Sequence, residues 1–163
     1  MIQQAISNDL FVNVFLGGKF HQVKAPTTKI YSKMLGALGV EYFSDMEKEK
    51  TPESIRKAVL IALGKEVKGS QDEFTIAFNE ILHMTLAQEY FKDKKTKSEG
   101  KSKGGKSLAG QIALFMEDLN MGLEEVLSTS YPLLLILQHD KPRPDFDKKE
   151  ELSGKDMLKK KRG

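Results

Sequence analysis

The chain has 163 residues, enough for one domain with a modest core. Hydrophobic residues make up 39% and charged residues 30%, the balance of a water-soluble globular protein with polar segments, and the lack of cysteine excludes disulfides and thiolate metal sites. A net charge of +3, from 26 basic and 23 acidic side chains, is too even to imply nucleic-acid binding by charge alone.

The elements follow from periodicity and punctuation. Met1 to Asp9 carries neither a basic region nor an apolar core, so no secretory signal is expected there. Leu10, Val12, Val14 and Leu16 then alternate with Phe11, Asn13 and Phe15. Gly17-Gly18 and a second short run, Phe20-His21-Gln22-Val23, follow, and together they predict a β-hairpin. A lone hairpin is marginal in water, so its apolar face has to pack on helices or on a partner. Pro26-Thr27-Thr28 opens a helix carrying Ile30, Met34, Leu35 and Leu38, with Gly39 as its stop. Val40 to Lys50 reads as a short helical or loop link.

Thr51-Pro52-Glu53 combines a capping hydroxyl, a first-turn proline and an acid at the positive helix end. The helix it starts buries Ile55, Val59, Ala62 and Leu63 and ends near Gly64. Ser70 and Glu73 form a capping box before the longest predicted helix, which runs to about Phe91–Lys92 and carries Phe74, Phe78, Ile81 and Leu82 on its core face. Ile76, Leu86 and Tyr90 broaden that apolar surface.

Lys92 to Lys106 holds only charged residues, Thr, Ser and Gly. Such a stretch cannot bury enough apolar surface to offset its ordering entropy, and disorder is expected. Ser107 caps a helix with Leu108, Ile112, Phe115, Met116 and Leu119 on its apolar side, ended by Asn120-Met121-Gly122. A helical turn over Leu123 to Leu127 and a break at Ser128-Thr129-Ser130 follow. Tyr131 to His139 is then a short helix with Pro132 in its first turn. Pro142 and Pro144 end regular structure, and the charged tail beyond, finishing in Lys159-Lys160-Lys161-Arg162, is expected to be mobile. The longest apolar run, Tyr131 to Leu137, is far shorter than the ~20 residues a membrane span needs, so a soluble cytoplasmic protein without membrane contact is expected.

Residues suited to chemistry are sparse. Gly100, Gly105, Lys106 and Ser107 match the phosphate-loop pattern by letter, yet that motif needs a buried strand before its glycines. Lys94-Lys95-Thr96-Lys97-Ser98-Glu99 cannot form one. His21, His83 and His139 lie far apart, with no metal-ligand spacing. No Gly-x-Ser-x-Gly occurs. Glu124-Glu125 and Glu150-Glu151 are sequence neighbours, which do not share a helix face. The lysine-rich loop could touch phosphates but has no aromatic, Arg or Asn to read or stack on bases. Leu133 to Leu137 instead circle a whole short helix, and a helix apolar all round needs cover on both sides.

The run Phe11-Val12-Asn13-Val14-Phe15-Leu16-Gly17-Gly18-Lys19-Phe20-His21-Gln22-Val23-Lys24-Ala25-Pro26-Thr27 resembles the start of many tail assembly chaperones of long-tailed bacteriophages. These open with a small hairpin around Gly-Lys, followed by a Pro-Thr or Leu-Thr helix start. Phe115 to Leu127, completed by Tyr131-Pro132-Leu133-Leu134, is similar to that family's ending of helix, glycine, short helix and proline-bearing helix. The resemblance implies a non-catalytic, mostly helical chaperone without a cofactor. It would bind the coiled-coil-prone tape measure protein, keep it soluble in the host cytoplasm and help recruit tail-tube subunits. It also implies a longer frameshifted form, for which Lys159-Lys160-Lys161 could be encoded by a slippery stretch.

The resulting expectation is a mainly α protein with an N-terminal hairpin. Residues 1–91 hold the hairpin and helical core, 92–106 the flexible loop, 107–140 a helical segment packing on the core, and 141–163 the tail. The partner groove is expected between the two late helices, at Leu108, Ile112, Phe115, Leu119, Tyr131, Leu134 and Leu137, on the helix-in-groove pattern. Self-association through the same uncovered apolar surface is also allowed. A small nucleic-acid-associated protein using the lysine segments is the alternative, and a nucleotide hydrolase the third reading.

Overall fold

The computed structural model describes residues 1–94 and 105–142. The fold is mainly α with one hairpin. A short helix, α1 (Ile2–Ile6), precedes β1 (Phe11–Leu16) and β2 (Lys19–Lys24). The helices α2 (Thr28–Leu38), α3 (Pro52–Leu63), α4 (Gln71–Thr85), α5 (Gln88–Phe91), α6 (Leu108–Leu119), α7 (Leu123–Ser128) and α8 (Tyr131–Asp140) follow, with a 3-10 turn over Phe43–Glu47 in the Val40–Lys50 link.

The strands pair antiparallel, with Val12 opposite Val23, Val14 opposite His21 and Phe15 opposite Phe20. Gly17 and Gly18 both have positive φ (61° and 88°), the two-residue turn whose twist matches the strands. At Gly17 a Cβ would also lie 2.5 Å from the Lys68 carbonyl oxygen. Gly17→Ala is therefore expected to lose at least the ~1–2 kcal/mol of a left-handed non-glycine residue. Calorimetry should show the melting temperature falling by roughly 4–8 °C.

The turn is tied to α4 through Glu73. Its carboxylate accepts the Ser70 N–H at 2.9 Å and the Gly17 N–H at 3.2 Å, while Ser70 Oγ accepts the Glu73 N–H at 3.1 Å. The Ser70 amide first, and then that of Gly17, hold the Glu73 pKa below its ordinary value. A carboxylate with a depressed folded pKa stabilises above its unfolded pKa and loses that contribution as pH falls through the lowered value. Thermal melts between neutral pH and about pH 3 should therefore fall less steeply for Glu73→Gln than for the native chain.

The inner face of the hairpin lies on a helical layer. Beneath β2 runs α3, beneath β1 runs α4, and α2 packs on the far side of α3. The chain then folds back, with α7 against α2, α8 against α4 and α1, and α6 against both α7 and α8. The Thr28 N–H donates to the Thr129 carbonyl and the Tyr131 N–H to the Pro26 carbonyl, each at 3.0 Å, joining the starts of α2 and α8. One core results, with Val14 and Leu16 from the hairpin, Tyr31 and Met34 from α2, Val59 from α3, Ile81 from α4, and Phe115, Val126 and Leu134 from the late helices. A satellite cluster of Ala5, Ala87 and Ile136 links α1, α5 and α8.

The helix caps sit at the predicted hydroxyls of Thr51, Ser70 and Ser107, and also at Thr27 and Ser130, each accepting an amide of the first turn. One boundary differs. The helix expected to run from Ser70 to Phe91–Lys92 ends at Thr85, and Ala87 takes a left-handed conformation (φ 53°) before α5. Thr85 donates its hydroxyl to the Ile81 carbonyl at 2.7 Å, and Ala87 and Ile136 are fully buried together. Redirecting the chain there carries Tyr90 and Phe91 onto α8, a tertiary gain that overrides local helix preference. The disorder expected for the lysine-rich loop falls mainly on residues 95–104, and that of the tail on 143–163. Both stretches lie outside the described residues.

Candidate functional site

The structure brings six of the seven residues expected to line a groove into one cluster, all but Leu137, and it fills that groove from within. Phe115, Tyr131 and Leu134 are buried in the main core, so they are not available to a partner in this arrangement. Phe115 meets the Tyr131 ring edge-on at 5.7 Å, and the Tyr31 ring lies 4.6 Å from that of Tyr131. Burial pushes the Tyr131 phenol above its usual range and that of Tyr31 up to about 12. Leu108, Ile112 and Leu119 are half-buried against the same core. Leu137 alone of the seven is exposed. The reason is a polar clasp that draws α6 and α8 together. Gln111, itself buried, donates to Gln138 Oε1 at 3.0 Å and accepts the Gly105 N–H at 3.1 Å. Gln138 in turn donates to Asp118 Oδ2 at 2.7 Å, and the Lys141 ammonium donates to the Asp118 carbonyl.

Uncovered aromatic side chains cluster elsewhere, on the outer face of the hairpin, while Ile6, Tyr42 and Leu123 are exposed at other places in the fold. Phe11, Phe15 and Phe20 are 46%, 44% and 69% exposed. The alternation of a strand forces this arrangement. Val12, Val14, Leu16, His21 and Val23 point toward the helices, so the intervening residues point to solvent. Phe15 and Phe20 are direct cross-strand neighbours with ring centroids 5.1 Å apart, edge to face. Between them and Phe11 lie the amides of Asn13 and Gln22, and Lys19 and Lys24 stand at the two ends of β2. Ile76 on α4, 58% exposed, lies with Val12 beside β1. Exposed rings clustered this way mark an interaction surface more often than a solvated one.

Each of the three histidines is hydrogen-bonded within the structure. His21 is buried with Nε2 3.2 Å from the Leu16 carbonyl. His83 bonds Gln88 at 2.9 Å, and His139 bonds Asp140 at 2.9 Å beside Phe91. Among the described residues no three His, Asp or Glu side chains are grouped to hold a metal. Of the phosphate-loop residues, Gly105 gives its amide to Gln111, Lys106 gives its carbonyl to the Phe43 N–H at 2.8 Å, and Ser107 Oγ caps α6. Gly100 and most of the loop lysines lie outside the described residues, as do Glu150 and Glu151. Glu125 accepts the Gly122 N–H at 2.8 Å, a capping role at the start of α7.

No family model, no curated protein and no solved structure matches this chain. The geometry therefore carries the functional reading. Among the described residues it offers an exposed aromatic face on a small sheet.

The sequence expectation did not include the exposed hairpin phenylalanines. The signal was present, since both parities of Phe11 to Leu16 are apolar at most positions. A two-stranded sheet backed by helices can cover only one parity.

Proposed function

We propose that this chain is a non-catalytic assembly chaperone that binds and solubilises the tape measure protein of a long-tailed bacteriophage during tail morphogenesis. The observation that carries this reading is the uncovered aromatic face of Phe11, Phe15 and Phe20 on an element already anchored to the core. The resemblance of that same segment, and of Phe115 to Leu127 with Tyr131 to Leu134, to tail assembly chaperones supports the choice of client. An aromatic face held by a sheet loses little entropy when a partner covers it, and flat rings accept the apolar stripe of an amphipathic helix in more than one register. A holder of a long, repetitive client needs that tolerance. Lys24, opposite Phe11 on the same outward parity, favours clients with acidic flanks and opposes self-aggregation.

Magnitudes set what the face can do. Covering the exposed parts of the three rings removes on the order of 300 Å² of apolar surface, worth about 7 kcal/mol gross. Association costs about 4–15 kcal/mol, so the rings alone give weak and reversible capture. That suits a protein that must let its client go into the assembling tail, where tube subunits replace it. The test is co-expression with the cognate tape measure protein in a host cytoplasm lacking other tail proteins. The native chain should keep the client in the soluble fraction and co-purify with it. A client equally soluble without the chain, or no co-purification, contradicts the proposal.

A further inference from the structure

We propose that the outer edge of β1 is a second docking element, which accepts an extended segment of a protein partner as a third strand lying over α4. The inference rests on reading the hairpin as a protein-binding element, but not on the identity of the client.

The edge is open by register. The Ala25 N–H donates to the Leu10 carbonyl at 2.9 Å, so the backbone groups of Leu10, Val12, Val14 and Leu16 face β2. Those of Phe11, Asn13 and Phe15 therefore point the other way, and none of them has a backbone partner among the described residues. Free edges are normally blunted by Lys, Pro or a bulge. β2 carries Lys19 and Lys24, whereas β1 has no charge, no proline and an unbroken register.

Below that edge is space of the right shape. Packed helices lie about 8–10 Å apart, and strands about 4.8 Å. Two strands therefore cannot cover two helices, and α4 projects beyond β1. Its projecting strip is Ile76, Asn79, Glu80 and His83, all exposed, at the i, i+3, i+4 and i+7 spacing of one helix face. With Val12 these residues line a groove of about 390 Å³. A third strand above it would place every second side chain on Val12 and Ile76, while its backbone bonded Phe11, Asn13 and Phe15. Glu80 enters none of the ion pairs among the described residues, so a basic residue on the incoming segment finds a free carboxylate at the rim. The matching partner is an extended stretch with alternating apolar residues and a flanking Lys or Arg. A second hairpin of this chain does not fit, because its own α4 would fall into the same space.

The probe is a labelled synthetic peptide, Lys-Thr-Val-Thr-Val-Thr-Val-Lys, titrated into the full chain by fluorescence anisotropy. Two further versions carry backbone N-methyl groups on all threonines or on all valines. The native chain should bind the parent saturably, in the micromolar range. One N-methylated version should fail while the other binds, because only alternate amides face β1. Asn13→Pro removes one edge amide without touching the β2 ladder, and Ile76→Lys fills the groove with charge. Each should weaken binding about tenfold or more. No saturable binding, or equal behaviour of the two N-methylated versions, overturns the proposal. So does a dimer of the native chain in sedimentation that Asn13→Pro abolishes, since a second copy would then own the edge. Loss of peptide binding with client solubility intact removes this inference alone. Peptide binding without client capture removes the chaperone reading alone.

Discussion

Replacing Phe15 and Phe20 together by serine is expected to abolish client solubilisation while leaving the fold in place. Both side chains face solvent, so their removal takes nothing from the core. The edge-to-face pair they form is worth only about 0.5–1.5 kcal/mol to the hairpin, which limits the fall in melting temperature to a few degrees. At a binding surface the same truncations remove two aromatic anchors, at about 2 kcal/mol or more each, and affinity should drop by roughly a thousandfold. Soluble client in co-expression and the melting temperature of the purified chain are the two readouts. Loss of the first with little change in the second is the expected pattern. Parallel loss of both would mean that the rings serve the fold.

A contrast within α8 should be just as large and should run the other way. Leu134→Asp is expected to unfold the protein. Leu134 is fully buried, and truncating such a leucine alone costs about 2–5 kcal/mol, to which an unpaired buried carboxylate adds several more. That approaches the whole stability of a domain this size, about 5–15 kcal/mol. Leu137→Asp, three residues on and 38% exposed, should fold with a melting temperature within a few degrees of the native one. Circular dichroism melts of the two variants separate core from surface along this helix. On the sequence expectation both leucines would face a client, and both variants would fold.

The difference between those expectations shows what periodicity can and cannot say. Caps, turns and element types are local, and they could be read. Thr51, Ser70 and Ser107 each hold their helix as the hydroxyl-and-spacing rule requires, and Gly17-Gly18 makes the turn that two glycines between alternating runs demand. Burial is a property of the assembled whole. Leu133 to Leu137 ring a helix, and nothing local states whether the far side meets solvent or another part of the chain. Here α1 and α5 cover it on one side and α6 on the other, and α1 carries no long periodic signal of its own.

The break at Ala87 is hidden for the same reason. Alanine is the best helix former, and only the packing of Tyr90 and Phe91 on α8 explains why the chain turns there. The clasp of Gln111, Gln138 and Asp118 joins residues distant in sequence with no shared motif. The hairpin phenylalanines were within reach. Their parity is fixed by that of Val14 and Leu16, and once helices take one face the other is committed to solvent or a partner.

Hydrogen–deuterium exchange of the purified chain, with and without a soluble fragment of the tape measure protein, most directly tests where the partner sits. Amides across Phe11–Lys24 should gain protection on binding, while those of α6 and α8, closed by their own core, should stay unchanged. Protection confined to α6 and α8, with the hairpin exchanging as before, would contradict the account and return the binding surface to the late helices.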